Sequence, residues 1–324
     1  QVRTDYSVLG DAINVAQRLE SVAGPGETYV GALTERATYR DFAYESLGPV
    51  ALKGKAAPVA AWRLLGRRRL PESASVFVGR HPEREALRRA LDRVASLTGE
   101  VIVVSGPAGV GKTSLIAEAR ADAQRRGFRW LDARAISYRT GSPYAPIVDL
   151  LTAVADDGSE SADPAPLLRA KLSDLGLETH EAALIGLLEA SWSEDQLEPE
   201  ARRVRIDAAV CALFAALAAR EPLVVSFEDL HWADRATVEI VASLVAQSVT
   251  APMLTIVSTR PGSTAADALH NELAVSPPPP DGTRVTQLSL AALADDEVLE
   301  LINQTSDGVS DSVAGTVLAR ANGN

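Results

Sequence analysis

The spacing of hydrophobic and polar residues changes near residue 76. After it, short and continuously apolar runs alternate with segments in which apolar residues recur every three or four positions. The apolar runs predict strands buried on both faces, and the alternation predicts a parallel sheet covered by helices, an α/β fold. The predicted strands are Val101–Val104, Arg129–Ala133, Leu223–Phe227, Met253–Ser258 and Val285–Leu288. The predicted helices are Arg84–Ser96, Leu115–Ala123, Pro146–Ala155, Pro166–Leu175, Ala201–Ala219, Thr237–Ser248 and Asp295–Gln304.

Residues 1–66 have a different pattern, which predicts a mixed α+β block too short to be a whole domain. A helix is predicted over Asp11–Val22, and a Gly-Pro-Gly turn follows it at residues 24–26. Residues 67–75 are basic and polar and contain a proline, which is typical of an exposed linker. The predicted strands of the block lie near Thr28–Val30, Ala43–Leu47 and Ala60–Leu65.

A phosphate-binding pattern lies between the first strand and the first long helix of the α/β region. Residues 106–113 match G-x-x-x-x-G-K-[ST], and their glycines allow the backbone to turn its N–H groups inward. Lys112 would meet the β- and γ-phosphates, the Thr113 hydroxyl would ligate Mg²⁺, and the helix N-terminus adds partial positive charge. The pattern predicts that the chain binds a nucleoside triphosphate. The predicted phosphate-binding residues are Gly106, Gly109, Val110, Gly111, Lys112, Thr113 and Ser114.

Two acids, Glu228 and Asp229, directly follow the apolar run Leu223–Phe227. A phosphate loop needs a second strand that delivers carboxylates to the metal, and this run has the expected spacing. By position, Glu228 would hold Mg²⁺ through water and Asp229 would polarise the attacking water. His231 and Trp232 come next, and we interpret them as packing residues because no second histidine lies at metal-ligand spacing.

Composition narrows the possible partners and location. The net charge of −11 argues against direct contact of this segment with nucleic acid, which would require a basic face. No apolar stretch is long enough to cross a bilayer and no signal peptide opens the sequence, so a cytoplasmic protein without membrane contact is expected. The single cysteine, Cys211, agrees with a reducing compartment and is expected to be a small core residue. The first residue, Gln1, suggests an internal piece of a larger protein.

Five separated segments of residues 76–324 carry a shared pattern: Phe77–Glu85, Gly106–Thr113, Pro143–Pro146, Phe227–Asp234 and Ser258–Pro261. Together they resemble the signal-transducing AAA-like ATPases found in multidomain bacterial regulators. The resemblance implies that Arg80 lies near the adenine and that Arg260 senses the γ-phosphate, although an ordinary surface arginine is the alternative for Arg260. It also implies an ATPase domain over 76–290 and the start of a helical arm over 291–324. At Glu228 the family more often has Asp.

Five segments stand out in the N-terminal block: Tyr6–Glu20, Ala23–Gly26, Leu47–Gly48, Leu52–Lys55 and Val59–Trp62. Asn14 and Arg18 stand four residues apart, so both project from one helix face, where an amide and a guanidinium could stabilise charge in a transition state. An amphipathic helix with an incidental Asn and Arg is the alternative. Together the segments resemble the closing part of a class III adenylate/guanylate cyclase domain. The resemblance implies that Asn14 and Arg18 act in cyclisation, that Ser7 reads the purine, and that Lys53 or Lys55 binds phosphate.

Three functional hypotheses follow. The first is a signalling protein that couples a nucleotide cyclase to a slow ATPase switch, with homodimerisation through the cyclase; the cyclase's metal-binding aspartates would precede residue 1. The second is an ATP-dependent transcriptional regulator in which the N-terminal block is a degenerate dimerisation module. The third is a motor-like ATPase that turns over quickly and assembles into rings. ATP and Mg²⁺ are the expected cofactors in each.

Overall fold

A computed structural model describes residues 11–24, 26–38, 42–52, 58–67, 77–136, 143–156, 163–189, 198–248, 251–275 and 285–305. The chain divides into two compact units, Gln1–Ala74 and Ser75–Asn324. Ser7, Lys53 and Lys55, which the cyclase resemblance singles out, lie outside the described residues.

The first unit is a small α+β arrangement. Helix α1 (Asp11–Val22) is followed by strand β1 (Tyr29–Gly31), helix α2 (Ala32–Thr38) and strands β2 (Phe42–Val50) and β3 (Val59–Arg67). The strands form an antiparallel sheet in the order β1-β3-β2. Helix α2 was not predicted from the sequence, because seven residues are too few for a helical period to stand out. The buried core of this unit consists of Leu19, Leu52 and Ala61.

The second unit is built on a five-stranded parallel sheet, which confirms the predicted α/β fold. The spatial order β5-β6-β7-β4-β8 places β4, which leads into the phosphate loop, beside β7, and β7 beside β6, which leads to the acids. The carboxyl ends of parallel strands share one edge of the sheet, so this order brings the loop and the acids to the same edge. The strands are β4 (Glu100–Ser105), β5 (Arg129–Arg134), β6 (Leu223–Glu228), β7 (Met253–Thr259) and β8 (Val285–Ser289).

Helices cover both faces of this sheet. On β4, Val101 and Val103 belong to one buried cluster while Ile102 and Val104 belong to another, as the two-residue period of a strand requires. Helices α7 and α10 were not predicted from the sequence; α7 has only nine residues and is apolar nearly all round, so it shows no periodic stripe. The helices are α3 (His81–Ala95), α4 (Lys112–Arg125), α5 (Ala145–Ala155), α6 (Pro164–Asp174), α7 (Glu181–Glu189), α8 (Pro199–Ala218), α9 (Arg235–Ser248), α10 (Thr264–Val275) and α11 (Asp295–Thr305).

One strand differs from its prediction. The residues of β8 alternate between exposed and half-buried, so the expectation that this strand is buried on both faces is wrong. Strand β8 pairs only with β4 and forms an edge of the sheet, where helix coverage is incomplete. In the central strands β6 and β7 nearly every residue is buried, as predicted. None of the described helices combines the length and the apolar character needed to cross a bilayer.

Candidate nucleotide-binding site

The phosphate loop runs from the end of β4 at Ser105 to the start of α4 at Lys112. Its glycines serve two different purposes. Gly109 and Gly111 have φ angles of 79° and 94°, a region that side chains with a Cβ rarely adopt. Gly106 is needed because of close approach, since a Cβ there would lie 2.9 Å from the Leu290 carbonyl oxygen. Residues beyond β8 therefore press against the base of the loop.

Lys112 is nearly buried at the mouth of the loop, with 7% of its surface exposed. Its Nζ donates hydrogen bonds to the carbonyl oxygens of Gly106 at 2.9 Å and Pro107 at 2.8 Å. Burial lowers the pKa of Lys112, and the nearby charge of Asp229 works against that shift. The ammonium is thus held inside the loop by carbonyl groups that a phosphate could replace.

The two acids lie at the end of β6, close to the loop. Burial raises the pKa of Glu228, while the charge of Arg134 and a hydrogen bond from Thr113 lower it. The contact with Thr113 places Glu228 beside the first turn of α4. Asp229 adopts a left-handed φ of 55°, and its backbone N–H donates to Ser258 Oγ at 2.9 Å. That bond ties the acidic turn to β7.

Arg134 is a site residue that the sequence analysis missed. Its guanidinium lies 3.0 Å from Thr113 Oγ1, 3.2 Å from Asp229 Oδ2 and 3.6 Å from Glu228 Oε2. Strand β5 pairs in parallel with β6 so that Arg134 is level with Glu228, which explains how the side chain reaches the acids. Only the strand order could have revealed this contact, and the sequence does not give the order.

The residues around Arg134 fit a divalent cation. One cationic group already contacts the oxygens of Thr113, Glu228 and Asp229, and Glu228 Oε2 is buried with no hydrogen-bond partner in the part of the chain that the structure describes. A hydroxyl and carboxylates are oxygen ligands of the kind that Mg²⁺ prefers. The described residues contain no cluster of three or more His, Cys, Asp or Glu side chains that could hold a metal alone. Water and phosphate oxygens would complete the coordination, as is usual for Mg²⁺.

Arg260 and Arg80, the two arginines that the resemblance singles out, both lie in this unit. The Arg260 Cζ lies 5.4 Å from the centre of the Trp232 ring, and its Nε is buried with no hydrogen-bond partner among the described residues. Arg80 has a left-handed φ of 54° and donates from Nη2 to the Val110 carbonyl at 3.2 Å and to the Ala291 carbonyl. Arg80 thus joins the phosphate loop to the segment after β8. Its predicted adenine contact and the predicted phosphate contact of Arg260 stay predictions.

The predicted cyclase pair lies on α1 in the first unit. Arg18 is half-buried, and its Nη1 is buried without a hydrogen-bond partner among the described residues. Asn14 is on the same helix, but its side chain lies outside what the structure describes. The roles of Asn14 and Arg18 therefore stay predictions.

A sequence profile of the AAA ATPase domain matches residues 76–257, more than half of the chain. The chain belongs to the AAA ATPase domain family. The matched range contains the phosphate loop, Arg134 and both acids, so the residues gathered at the sheet edge fall within the AAA ATPase domain. It leaves α1 and the antiparallel sheet outside.

An uncharacterised protein of Rhizobium meliloti (strain 1021) is 26% identical over 298 residues, which is 87% of this chain and 29% of the relative. The chain therefore spans less than a third of that relative's length. Among solved structures, this chain is similar to a STAND protein with a tetratricopeptide repeat sensor from Pyrococcus horikoshii, at 16% identity and a TM-score of 0.38 over 76% of this chain and 28% of the other. It is also similar to AMPPCP-bound DnaA from Aquifex aeolicus, at 13% identity and a TM-score of 0.36 over 75% and 57%.

Proposed function

We propose that this chain binds ATP with Mg²⁺ at residues 106–114 and uses slow hydrolysis as a switch within a larger signalling protein. One observation supports the proposal above the others: the loop that carries Lys112 and Thr113 and the strand end that carries Glu228 and Asp229 meet at one edge of the sheet. The Arg134 guanidinium links the two groups directly.

Each residue has a role that its surroundings support. Loop N–H groups and Lys112 would hold the phosphates, and the ammonium would exchange the carbonyls of Gly106 and Pro107 for phosphate oxygens. Thr113 and Glu228 would hold Mg²⁺, which supplies charge neutralisation of the β- and γ-phosphates when bound. Asp229, fixed by its bond to Ser258, would orient the attacking water.

The contacts that Lys112 and Arg134 make support a slow switch in preference to a fast motor. Lys112 donates hydrogen bonds to carbonyl groups of its own loop, and Arg134 contacts oxygens of Thr113 and Asp229 near the expected metal position. Both side chains must change partners before the site holds Mg²⁺ and ATP. Two arrangements of the same residues, selected by a γ-phosphate, are what a nucleotide-dependent switch requires.

The coupling to a nucleotide cyclase is the finer part of the proposal and rests on the sequence resemblance of residues 6–62. Two features agree with it: Asn14 and Arg18 lie on a helix, and Arg18 keeps one buried donor that no described residue accepts, which suits an anionic ligand. In the parent protein this part would form a homodimer and convert ATP or GTP into a cyclic nucleotide and pyrophosphate. The alternative is a transcriptional regulator with a degenerate dimerisation module.

Nucleotide binding tests the central proposal. Isothermal titration with a non-hydrolysable ATP analogue and Mg²⁺ should give binding to the wild type and at least tenfold weaker binding to Lys112→Ala, because the lysine supplies a charge-assisted contact. Equal affinities would refute the ATP site. Turnover well above about 1 s⁻¹ without a partner would favour the motor-like ATPase.

A cyclic-nucleotide assay on the full-length protein tests the coupling. Wild type should produce cyclic nucleotide from ATP or GTP, and Arg18→Ala should lose most of that activity. A full-length wild type without cyclase activity, and with normal ATP binding, would favour the regulator and leave the ATP site intact.

A further inference from the structure

Arg260 directly follows the strand that runs between the phosphate loop and the acidic turn. Strand β7 pairs with β4 on one side and with β6 on the other. Ser105 pairs with Thr259, so Arg260 is level with Gly106, the first residue of the loop. The phosphate loop therefore follows the neighbouring strand on one side of Arg260, and the acidic turn follows the neighbouring strand on the other.

The neighbour of the Arg260 guanidinium is an aromatic ring. Its Cζ lies 5.4 Å from the centre of the Trp232 indole, and its buried Nε has no hydrogen-bond partner among the described residues. A carboxylate partner would occupy the N–H donors of a guanidinium, whereas a ring beneath the guanidinium plane leaves them available. The ring therefore holds the charge in place without using its donors.

The positive charge of Arg260 affects Lys112, the residue that is expected to bind phosphate. It adds to burial in lowering the pKa of Lys112, and in the same way it adds to burial in lowering the pKa of His231. Both groups are positively charged, so an anion that pairs with both Arg260 and Lys112 would be favoured. The γ-phosphate of the proposed ligand is such an anion.

The position of Trp232 is set by the 3₁₀ turn that contains it and not by burial of its ring. It ends the 3₁₀ turn Leu230–Trp232, which begins directly after Asp229 and is anchored by the buried Leu230. Trp232 as a whole residue is 38% exposed, which differs from the packing role predicted for it. Contact with Arg260 accounts for its position better than core packing does.

We propose that Trp232 is a positioning residue for Arg260: the indole face directs the guanidinium toward the phosphate loop and thereby sets the preference for a nucleoside triphosphate over the diphosphate. The inference rests on the proposed function, because it requires Arg260 to contact the γ-phosphate. Without the ring, the arginine must give up more rotamer freedom to make the same contact. Contacts to the phosphates that ADP also carries do not depend on Arg260, so ADP affinity is unaffected.

Equilibrium binding of ADP and of a non-hydrolysable ATP analogue, each with Mg²⁺, tests this. The preference is the ratio of the ADP Kd to the analogue Kd. Arg260→Ala should reduce it by about tenfold, and Trp232→Leu by about fivefold. Trp232→Phe keeps a weaker cation-binding ring and should fall between wild type and Trp232→Leu. In the double variant the preference should be as low as in Arg260→Ala alone and no lower, because the ring acts through the arginine.

Four results would overturn the inference. Trp232→Leu could leave the preference unchanged while Arg260→Ala reduces it, or the two effects could multiply in the double variant. Trp232→Leu could also weaken ADP and analogue binding equally, which would indicate a contact with the base or damage to the fold. If Trp232→Leu does not fold, a Trp232→Phe variant with the wild-type preference for the analogue over ADP would also overturn the inference. Analogue binding that survives Lys112→Ala would instead refute the proposed function itself.

Discussion

The Nη2 group of Arg134 donates a hydrogen bond to Thr113 Oγ1 across 3.0 Å, which links the end of β5 to the first turn of α4. The same guanidinium forms an ion pair with Asp229 at 3.2 Å. It also lies 3.6 Å from Glu228 Oε2, so it contacts both groups that are expected to hold Mg²⁺, the Thr113 hydroxyl and the Glu228 carboxylate. A guanidinium and a divalent cation compete for these oxygens because both are positively charged, so we expect Arg134 to withdraw as the metal binds.

Arg134→Ala should therefore change how the protein responds to Mg²⁺. In the metal-free protein the variant should lose about 1 kcal/mol of unfolding free energy, since Arg134 is partly exposed and its ion pairs are screened. With an ATP analogue present, Mg²⁺ should raise the Tm of the variant more than that of the wild type. Thermal unfolding across a Mg²⁺ titration measures both effects. Arg134→Lys keeps a competing cation and is the control; an identical Mg²⁺ response in all three proteins would contradict the competition.

Asp234 joins the starts of two helices. Its carboxylate accepts the backbone N–H of Thr237 in the first turn of α9 and that of Tyr144, directly before α5, both at 3.1 Å. Asp234→Ala should cost about 2 to 3 kcal/mol of unfolding free energy, because it removes a helix cap and leaves a second N–H without its partner. Urea unfolding provides the measurement. Asp234→Asn keeps one acceptor oxygen and should lose less; a loss as large as that of alanine would mean that the charge matters more than the bonds.

The sequence predicts the α/β core well because its signals are local. Continuous apolar runs identify β6 and β7, and the glycine spacing identifies the phosphate loop before any contact is known. What it misses depends on pairing across the chain. Arg134 and Asp229 are 95 positions apart and meet only because β5 and β6 are neighbours. The exposure of β8 has the same origin, since an edge position is a property of strand order and not of the strand's own residues.

Cys211 should be an unreactive thiol. Burial is the main reason that its pKa rises to about 12, and the nearby charge of Asp207 adds to it. At pH 8 only about one molecule in ten thousand would then carry the thiolate, so alkylation should be at least a hundredfold slower than for a free cysteine. Labelling of the native protein with iodoacetamide, followed by mass spectrometry, measures the rate. The unfolded protein in urea is the control and should label fully; equally fast labelling of the native protein would mean that Cys211 is exposed in solution.

Replacement by alanine should have different effects on stability and on nucleotide binding at Gly106 and at Gly176. A Cβ at Gly106 would meet the Leu290 carbonyl oxygen at 2.9 Å and Val110 Cγ1 at 2.8 Å. Gly106→Ala should therefore cost about 2 kcal/mol or more and weaken binding of an ATP analogue, since the loop must shift to relieve the overlap. Urea unfolding and isothermal titration give the two quantities.

Gly176→Ala is the matched control, because Gly176 has a φ of 69° and, its chain neighbours aside, no described residue has an atom within 4 Å of the added Cβ. It should lose about 1 kcal/mol from backbone conformation alone and bind the analogue as the wild type does. Comparison of the two variants thus separates the cost of an unfavourable backbone conformation from the cost of steric overlap. If Gly106→Ala keeps full nucleotide affinity and is as stable as Gly176→Ala, then the contact between the loop and the residues after β8 does not shape the site.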